Sequence, residues 1–432
     1  MKIGVYEREI TPPLGADMPG YYTNRYATGV KERLYMRAAV FAGDNDSESS
    51  YAAILSLDAV DTPKKHVDAI TKRAFEYTGI PQENITVCSN HTHLGIPQGD
   101  VISQEDTVFM DVLCRLGADC ITLAYRNMRE NCKIVSGIGR VEGQSFVRDY
   151  VLKNGEVVTN ASKFRSEIVK RYSEPDYDYP VLFALDENSK PFLCVSSFAL
   201  HQDCVGGLEY SGDFSYYLSR NLKEKFGENF VSLYLAGASG DINHAECIGR
   251  THSNYKETGK KLADEAIRIF SSPDKNTESF STKRINVKCS RRIPTEEQLK
   301  EARWICEDRR ERRSIYDMTG QNAPLLLKYH EEFSDLPVEM DVPIQVIRLG
   351  ECFIFALPGE LYHQFGEMIK DAVKPYNAFI CELSHFAAGY ICTREMYSTQ
   401  VYPVQLCHGS YFEPETGYKM VESAVELAKT MM

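Results

Sequence analysis

The sequence predicts an α/β protein in which mixed β-sheets are flanked by helices, and three observations point there. Apolar runs of strand length alternate three times with helical stretches, so that strand–helix–strand units recur along the chain. The 432 residues are 43% hydrophobic and 25% charged, a composition that supports a sizeable core and excludes collagen-like, coiled-coil and disordered readings. No low-complexity tract breaks the pattern, and no run of about 18 apolar residues is present to span a membrane.

In the first unit Tyr51 to Leu57 runs into Asp58, a helix follows from about Pro63 to Tyr77, and Ile85 to Cys88 leads into Asn90-His91-Thr92-His93. In the second, Phe192 to Leu200 runs into His201, a helix near Tyr216 to Phe226 follows, and Val231 to Ala236 precedes the turn Gly240-Asp241-Ile242-Asn243-His244. The polar stretch Ser271 to Lys288 reads as the connector to the third unit. A helical insertion at about 290–335 comes next, opened by the capping-box spacing of Thr295 and Gln298, with Leu299, Ala302, Trp304, Ile305 and Cys306 as its apolar positions. Arg309, Arg310, Arg312 and Arg313 are interleaved with Glu307, Asp308 and Glu311, which reads as a solvated helix face rather than an anion site. In the third unit Cys352 to Leu357 runs into Pro358-Gly359-Glu360, a helix extends to about Val373, and Ala378 to Leu383 ends near His385 to Tyr390.

If each unit is a parallel crossover, the loops after its two strands lie on one edge of a sheet, where open α/β sheets build their sites. His91, His93, His201, Asp241, His244, Glu360 and Tyr390 all occupy such positions. Their convergence is expected provided that the sheets face one another; otherwise they are unrelated loops of separate sheets.

Lys and Arg number 49 against 61 Asp and Glu, a net charge of −12, which argues against general attraction to nucleic acid or to anionic membranes. The 13 cysteines form no CxxC pair and scatter irregularly from Cys88 to Cys407, so they read as small buried hydrophobes rather than a disulfide framework. The opening Met1 to Pro12 lacks a charged segment followed by an apolar one, and with the cysteine pattern this leads us to expect a cytoplasmic location.

Within Asn90-His91-Thr92-His93, residues two apart at a strand end point the same way, so both imidazoles can address one ion or one substrate group. Two histidines satisfied by ordinary hydrogen bonds is the alternative. His201 reads either as a ligand or as a polar cap to its strand. Glu360 follows a buried run and a Pro-Gly turn, where it is either a functional acid or a helix N-terminal one. Tyr390 and Tyr402 are not distinguishable by spacing from the other tyrosines.

Taken in order, these residues resemble the catalytic region of the neutral/alkaline (non-lysosomal) ceramidases and their shorter bacterial relatives. Ile10-Thr11-Pro12-Pro13-Leu14-Gly15, Gly20-Tyr21 and Leu34-Tyr35-Met36-Arg37-Ala38 resemble the N-terminal signature of that family. His91-Thr92-His93 resembles its HTH, His201 its strand-ending histidine, Pro358-Gly359-Glu360 its PGE, and Tyr390 with Tyr402 its tyrosine pair. The resemblance spans roughly residues 9 to 411 and implies one ceramidase-like catalytic domain over residues 1–432. It implies a zinc site formed by His91, His201, Glu360 and Tyr390, with His93 beside the activated water and Arg148 and Tyr402 holding the scissile amide. Two imidazoles, a carboxylate and a phenolate suit Zn2+.

The implied chemistry is hydrolysis of an amide by metal-activated water, with His93 shuttling a proton, Tyr402 or Arg148 as carbonyl-side donors, and Asp241 orienting a neighbour. The family's G-D-V-S-P-N turn reads Gly240-Asp241-Ile242-Asn243-His244 here. Asn243 cannot serve as a hydroxyl nucleophile, so a mechanism resting on the metal is the one that survives. No room remains after Tyr411 for an immunoglobulin-like C-terminal domain, which leads us to expect a small-molecule N-acyl substrate, an N-acyl amino alcohol or amino sugar, rather than membrane ceramide. Two alternatives stay open: a metal-dependent esterase or lactonase, and a non-catalytic ligand-binding relative that keeps the metal pocket.

Overall fold

Three antiparallel strands, a helix, a fourth strand and a second helix follow one another three times along the chain. The first unit comprises β1 (Lys2–Glu9), β2 (Tyr35–Ala42), β3 (Tyr51–Leu57), α1 (Lys64–Thr78), β4 (Ile85–Ser89) and α2 (Gln104–Arg126). The second comprises β5 (Lys133–Arg140), β6 (Asp178–Leu185), β7 (Pro191–Phe198), α3 (Asp213–Phe226), β8 (Val231–Ala236) and α4 (Tyr255–Ser271). The third begins with β9 (Phe280–Ser290), carries α5 (Glu296–Glu307) and α6 (Thr319–Phe333), and continues with β10 (Glu339–Leu349), β11 (Cys352–Ala356), α7 (His363–Ala372), β12 (Asn377–Cys381) and α8 (Thr416–Lys429). The computed structural model describes residues 1–21, 23–43, 51–98, 103–249, 251–277, 279–307, 319–399 and 401–432.

Each unit forms its own mixed sheet with the same pairing. The first three strands are antiparallel, and the third and fourth, joined by the crossover helix, are parallel. All three predicted strand–helix–strand units are therefore parallel crossovers, with the loops after their two strands at one sheet edge.

The strands flanking each crossover helix are buried on both faces, which is why they read as near-continuous apolar runs. Along β3, Ala52 and Ile54 turn into a core shared by all three sheets, where they meet Val195, Leu233, Ile354 and Phe379. Ala53, Leu55 and Leu57 turn the other way, toward α1 and α2. Buried polar bonds tie the sheets together: Ser56 Oγ donates to the Tyr234 carbonyl (3.1 Å) and Ser197 Oγ to the Ile380 carbonyl (2.7 Å). The sheets thus face one another across one core, which is the condition for convergence of the loops.

Two expectations are corrected. Most of the Ser271 to Lys288 stretch is not a connector but strand: a short piece at Lys275–Thr277 joins the second sheet, and β9 forms the edge of the third. As an edge strand it buries only alternate residues, with Ile285, Val287 and Cys289 on the core, so its sequence reads as polar. In α5 the reciprocal Thr295–Gln298 capping box forms (2.9 and 3.2 Å) and Leu299 and Ala302 are buried, but Trp304 and Cys306 are exposed. The helix packs chiefly against α6, so its apolar stripe is covered along only part of its length. The four arginines at 309, 310, 312 and 313 lie outside the described residues.

Candidate metal centre

The first histidine is delivered by a strained turn. Asn90 anchors the loop after β4 by donating from Nδ2 to Asp58 Oδ1 (2.6 Å) and Ser215 Oγ (3.0 Å). His91 then adopts a left-handed φ of 73°, a conformation that costs a histidine about 1–3 kcal/mol. It is held there by its N–H on the Ala59 carbonyl (2.8 Å) and by Nδ1, which lies 2.7 Å from the Val60 carbonyl. Because that carbonyl can only accept, the network assigns the proton to Nδ1 and aims the Nε2 lone pair into the site, the arrangement typical of a metal-ligating histidine.

His201, just beyond β7, places its Nε2 2.9 Å from His91 Nε2. Glu360 follows the turn after β11, where Gly359 has a φ of 93° and a Cβ would stand 2.7 Å from the Gly389 carbonyl oxygen, so a side chain is sterically excluded. Its Oε2 lies 3.4 Å from His91 Nε2 and has no hydrogen-bond partner among the described residues. Glu360 and Leu361 form a two-residue parallel ladder with Tyr390 and Ile391, which makes Glu360 and Tyr390 direct register partners. One nitrogen from each of His91, His93 and His201 lies within 4.8 Å of the others, the one such cluster of potential ligands among the described residues.

Burial, reinforced by the charge on His91, holds His93 and His201 well below the usual imidazole range, so both are neutral near pH 7. Burial pushes His91 down as well, but Glu360 overrides it and raises its pKa; burial pushes Glu360 up, but His91, Arg148 and Tyr390 lower it. The neutral imidazoles of His93 and His201, the His91 Nε2, a carboxylate with an unpaired buried oxygen and a phenol at its side form a donor set that fits a divalent ion such as zinc. The cluster can bind a metal.

Arg148 arrives from a different part of the chain. The segment Phe146–Val147 pairs antiparallel with Ile242–Asn243, and the Arg148 N–H donates to the Asp241 carbonyl (2.9 Å). Its buried guanidinium donates to the Gly240 carbonyl and lies 5.0 Å from the ring centres of both Tyr390 and Tyr402. Burial works against that charge, but the two tyrosines and Tyr362 keep its pKa well above the ordinary value. The Tyr390 and Tyr402 rings meet edge to face at 5.7 Å, and burial pushes the Tyr402 phenol up to about 12.

Not every predicted residue joins the cluster. Asp241 turns away: its two oxygens take the backbone N–H (2.8 Å) and Nδ1 (2.7 Å) of His363, at the start of α7. Asn243 donates from Nδ2 to Asn160 Oδ1 (2.8 Å), accepts the His244 N–H on Oδ1 (2.7 Å), and forms wall. His93, His201, Arg148, Asn243, Tyr390 and Tyr402 all line one cavity of about 1090 Å³.

Sequence reasoning passed over several residues around the site. Tyr21 packs edge-on against His93 (5.3 Å between ring centres) and donates to Asp203 Oδ1, while Arg25 donates to the His93 carbonyl (2.6 Å). Glu382, fully buried, accepts the Ser239 (2.9 Å) and Leu361 (2.8 Å) N–H groups and so supports two site loops at once. An acid inside the apolar run Ala378 to Leu383 was the signal for Glu382. Tyr21 was visible only as part of the Gly20-Tyr21 signature, and Asp203 had no signal, since the two meet only across 182 residues of chain.

No family model matches the chain, and no curated protein sequence does. Two solved structures match its fold. A neutral ceramidase from Pseudomonas aeruginosa aligns with a TM-score of 0.74 at 16% identity, covering 99% of this chain and 74% of the other. A ceramidase complexed with C2 aligns with a TM-score of 0.74 at 17% identity, covering 99% and 75%. The chain has the mixed α/β fold of these ceramidase structures.

Proposed function

We propose that this chain is a zinc-dependent amidohydrolase that cleaves the N-acyl bond of a small molecule. The observation that carries the reading is the approach of two imidazole Nε2 atoms to 2.9 Å beside an unpaired carboxylate oxygen, at a cavity lined by Arg148 and Tyr402. The ceramidase fold supports an amide as the scissile bond. His91, His201, Glu360 and Tyr390 would hold the ion. When bound, the ion supplies Lewis acidity toward the carbonyl oxygen and a lowered pKa for water.

The chain's own residues supply the rest. Tyr402, protonated at neutral pH because its pKa is about 12, donates to the carbonyl oxygen as negative charge develops there, and the Arg148 guanidinium adds a fixed positive charge. His93 turns Nδ1 toward Gly20, which leaves Nε2 to carry the proton that the departing amine requires. Asp241 acts through position, anchoring Arg148 by its carbonyl and α7 by its carboxylate. Asn243, engaged at both ends of its amide, shapes the wall instead of attacking. Because the ligands come from all three units, we infer that the whole chain is one catalytic domain.

No helix among the described residues is long and apolar enough to cross a membrane. All thirteen cysteines are free thiols, which supports a reducing compartment and our proposal of the cytoplasm.

The test is elemental analysis with hydrolysis of short- and long-chain N-acyl amines. About one zinc per chain is expected, lost in His91→Ala and Glu360→Ala and kept in His93→Ala, which should lose turnover alone. Wild-type protein that takes up no metal, or a zinc-loaded protein that releases no amine from any substrate, overturns the reading.

A further inference from the structure

The cavity beside the metal centre divides by chemistry. Val157, Val158, Phe164, Ile242 and Val401 give it an apolar wall. Tyr21 and Asp203 line it next to His93 and His201, and Glu156 and Glu395 stand exposed along it. Arg148 is the one arginine or lysine side chain on the lining among the described residues, and it is already engaged by the Gly240 carbonyl and two aromatic faces. The cavity lining therefore carries three acids against one arginine among the described residues.

Asp203 is the innermost of these acids. It is half-buried two residues beyond His201, and among the described residues no cation stands within ion-pair distance of it. Tyr21 donates to its Oδ1, which fixes the carboxylate plane and leaves Oδ2 without a hydrogen-bond donor among the described residues. The same Tyr21 ring packs edge-on against His93. Since His93 is the ring that must serve the leaving nitrogen, Asp203 belongs to the amine half of the substrate and the apolar wall to the acyl half. Arg25, stacked 4.0 Å over the Tyr21 ring, and His244 act on the Asp203 charge only from beyond ion-pair distance, and a carboxylate oxygen that lacks a direct donor selects for hydroxyl or ammonium groups and against carboxylates.

Resting on the hydrolase reading above, we propose that Asp203 is the specificity-determining residue for the amine half: it accepts from a hydroxyl or second ammonium group close to the scissile nitrogen. The substrate class is then an N-acylated amino sugar or diamine, and N-acyl amino acids are rejected.

Equilibrium binding of the free amine products tests this without turnover. Calorimetric titration of the full-length protein with glucosamine and with 1,3-diaminopropane should show binding at least about tenfold tighter than that of serine, the size expected for one charged hydrogen bond. Asp203→Asn should weaken the first two by about tenfold and erase the discrimination against serine. Unchanged binding in Asp203→Asn, or serine binding as tightly as glucosamine to the wild type, overturns the proposal. Should Asp203→Asn fail to fold by thermal melting, Tyr21→Phe keeps the carboxylate and frees Oδ1. It is expected to bind glucosamine at least as tightly as wild type, and a tenfold loss there overturns the proposal equally. Absence of amide hydrolysis with Asp203-dependent amine binding intact removes the hydrolase reading alone; hydrolysis with binding indifferent to Asp203 removes this one alone.

Discussion

Replacing Gly20 by alanine tests whether the position of His93 matters to the chemistry. Gly20 has a φ of 102°, and a Cβ built there stands 2.7 Å from His93 Nδ1, 3.0 Å from its Cγ and 3.1 Å from Val60 Cγ2. Ordinary contact needs roughly 3.5 Å or more, so the imidazole or the loop must retreat by close to 1 Å. The ring has little room, because the His91 and His201 ring centres lie 5.0 and 5.1 Å behind it. If the loop moves instead, the Tyr21 edge contact and the Arg25 bond to the His93 carbonyl are lost with it. A displacement of that size costs up to about 10²-fold in rate, and the left-handed backbone adds about 1–3 kcal/mol of strain. Gly20→Ala should therefore lower kcat by roughly 10- to 100-fold while zinc content stays at the wild-type level, since neither His91 nor His201 contacts the new methyl group. Steady-state kinetics on the amide that the wild type turns over, with metal analysis of the same preparation, makes the measurement. A variant within about twofold of wild-type kcat would refute the role given to His93.

Three further outcomes are expected. Asp241→Asn breaks a buried pair at the start of α7 and should cost about 3–5 kcal/mol by chemical denaturation. Burial lowers the His363 pKa but Asp241 raises it overall, so that pair's stabilisation is full below the unfolded imidazole value of about 6.5 and fades as pH rises through the higher folded value. The variant should lose this pH dependence, and stability curves that stay parallel to wild type from neutral to alkaline pH would count against the assignment. Tyr402→Phe should reduce kcat by about 10²- to 10³-fold at unchanged zinc content, as for loss of one oxyanion donor, and the wild type should show no alkaline limb from this group until its pKa of about 12 is approached. Burial holds the Glu382 carboxyl well above its usual range, although both of its oxygens accept backbone N–H groups. Glu382→Gln turns one of the two accepting oxygens into an NH2 that faces a backbone N–H and should cost about 1–3 kcal/mol, whereas Glu382→Ala leaves both the Ser239 and Leu361 N–H groups unpaired at about 1–3 kcal/mol each; equal melting temperatures for the two variants would contradict this.

Strand and helix signals are local, repeating every 2 or 3.6 residues, and so the apolar runs at Tyr51, Phe192 and Cys352, the crossover helices behind them and the loops bearing His91, His201 and Glu360 could be read directly from the chain. The edge strand β9 escaped because a strand covered on one side alternates polar and apolar residues and resembles a connector. Distances between loops are not local. The 2.9 Å separation of His91 and His201 results from three sheets meeting at one core, and Tyr390 meets Glu360 through a two-residue ladder. Arg148 is brought in by a pairing with Ile242–Asn243 that has no sequence period at all, and the same turn swings Asp241 toward His363 instead of the cavity. Sequence alone determined which residue types stand at the ends of the strands. Which of them share one pocket, and that Asp203 stands there with no ion pair among the described residues, was decided by tertiary packing, because contacts across more than a hundred residues depend on how whole sheets dock rather than on any local pattern.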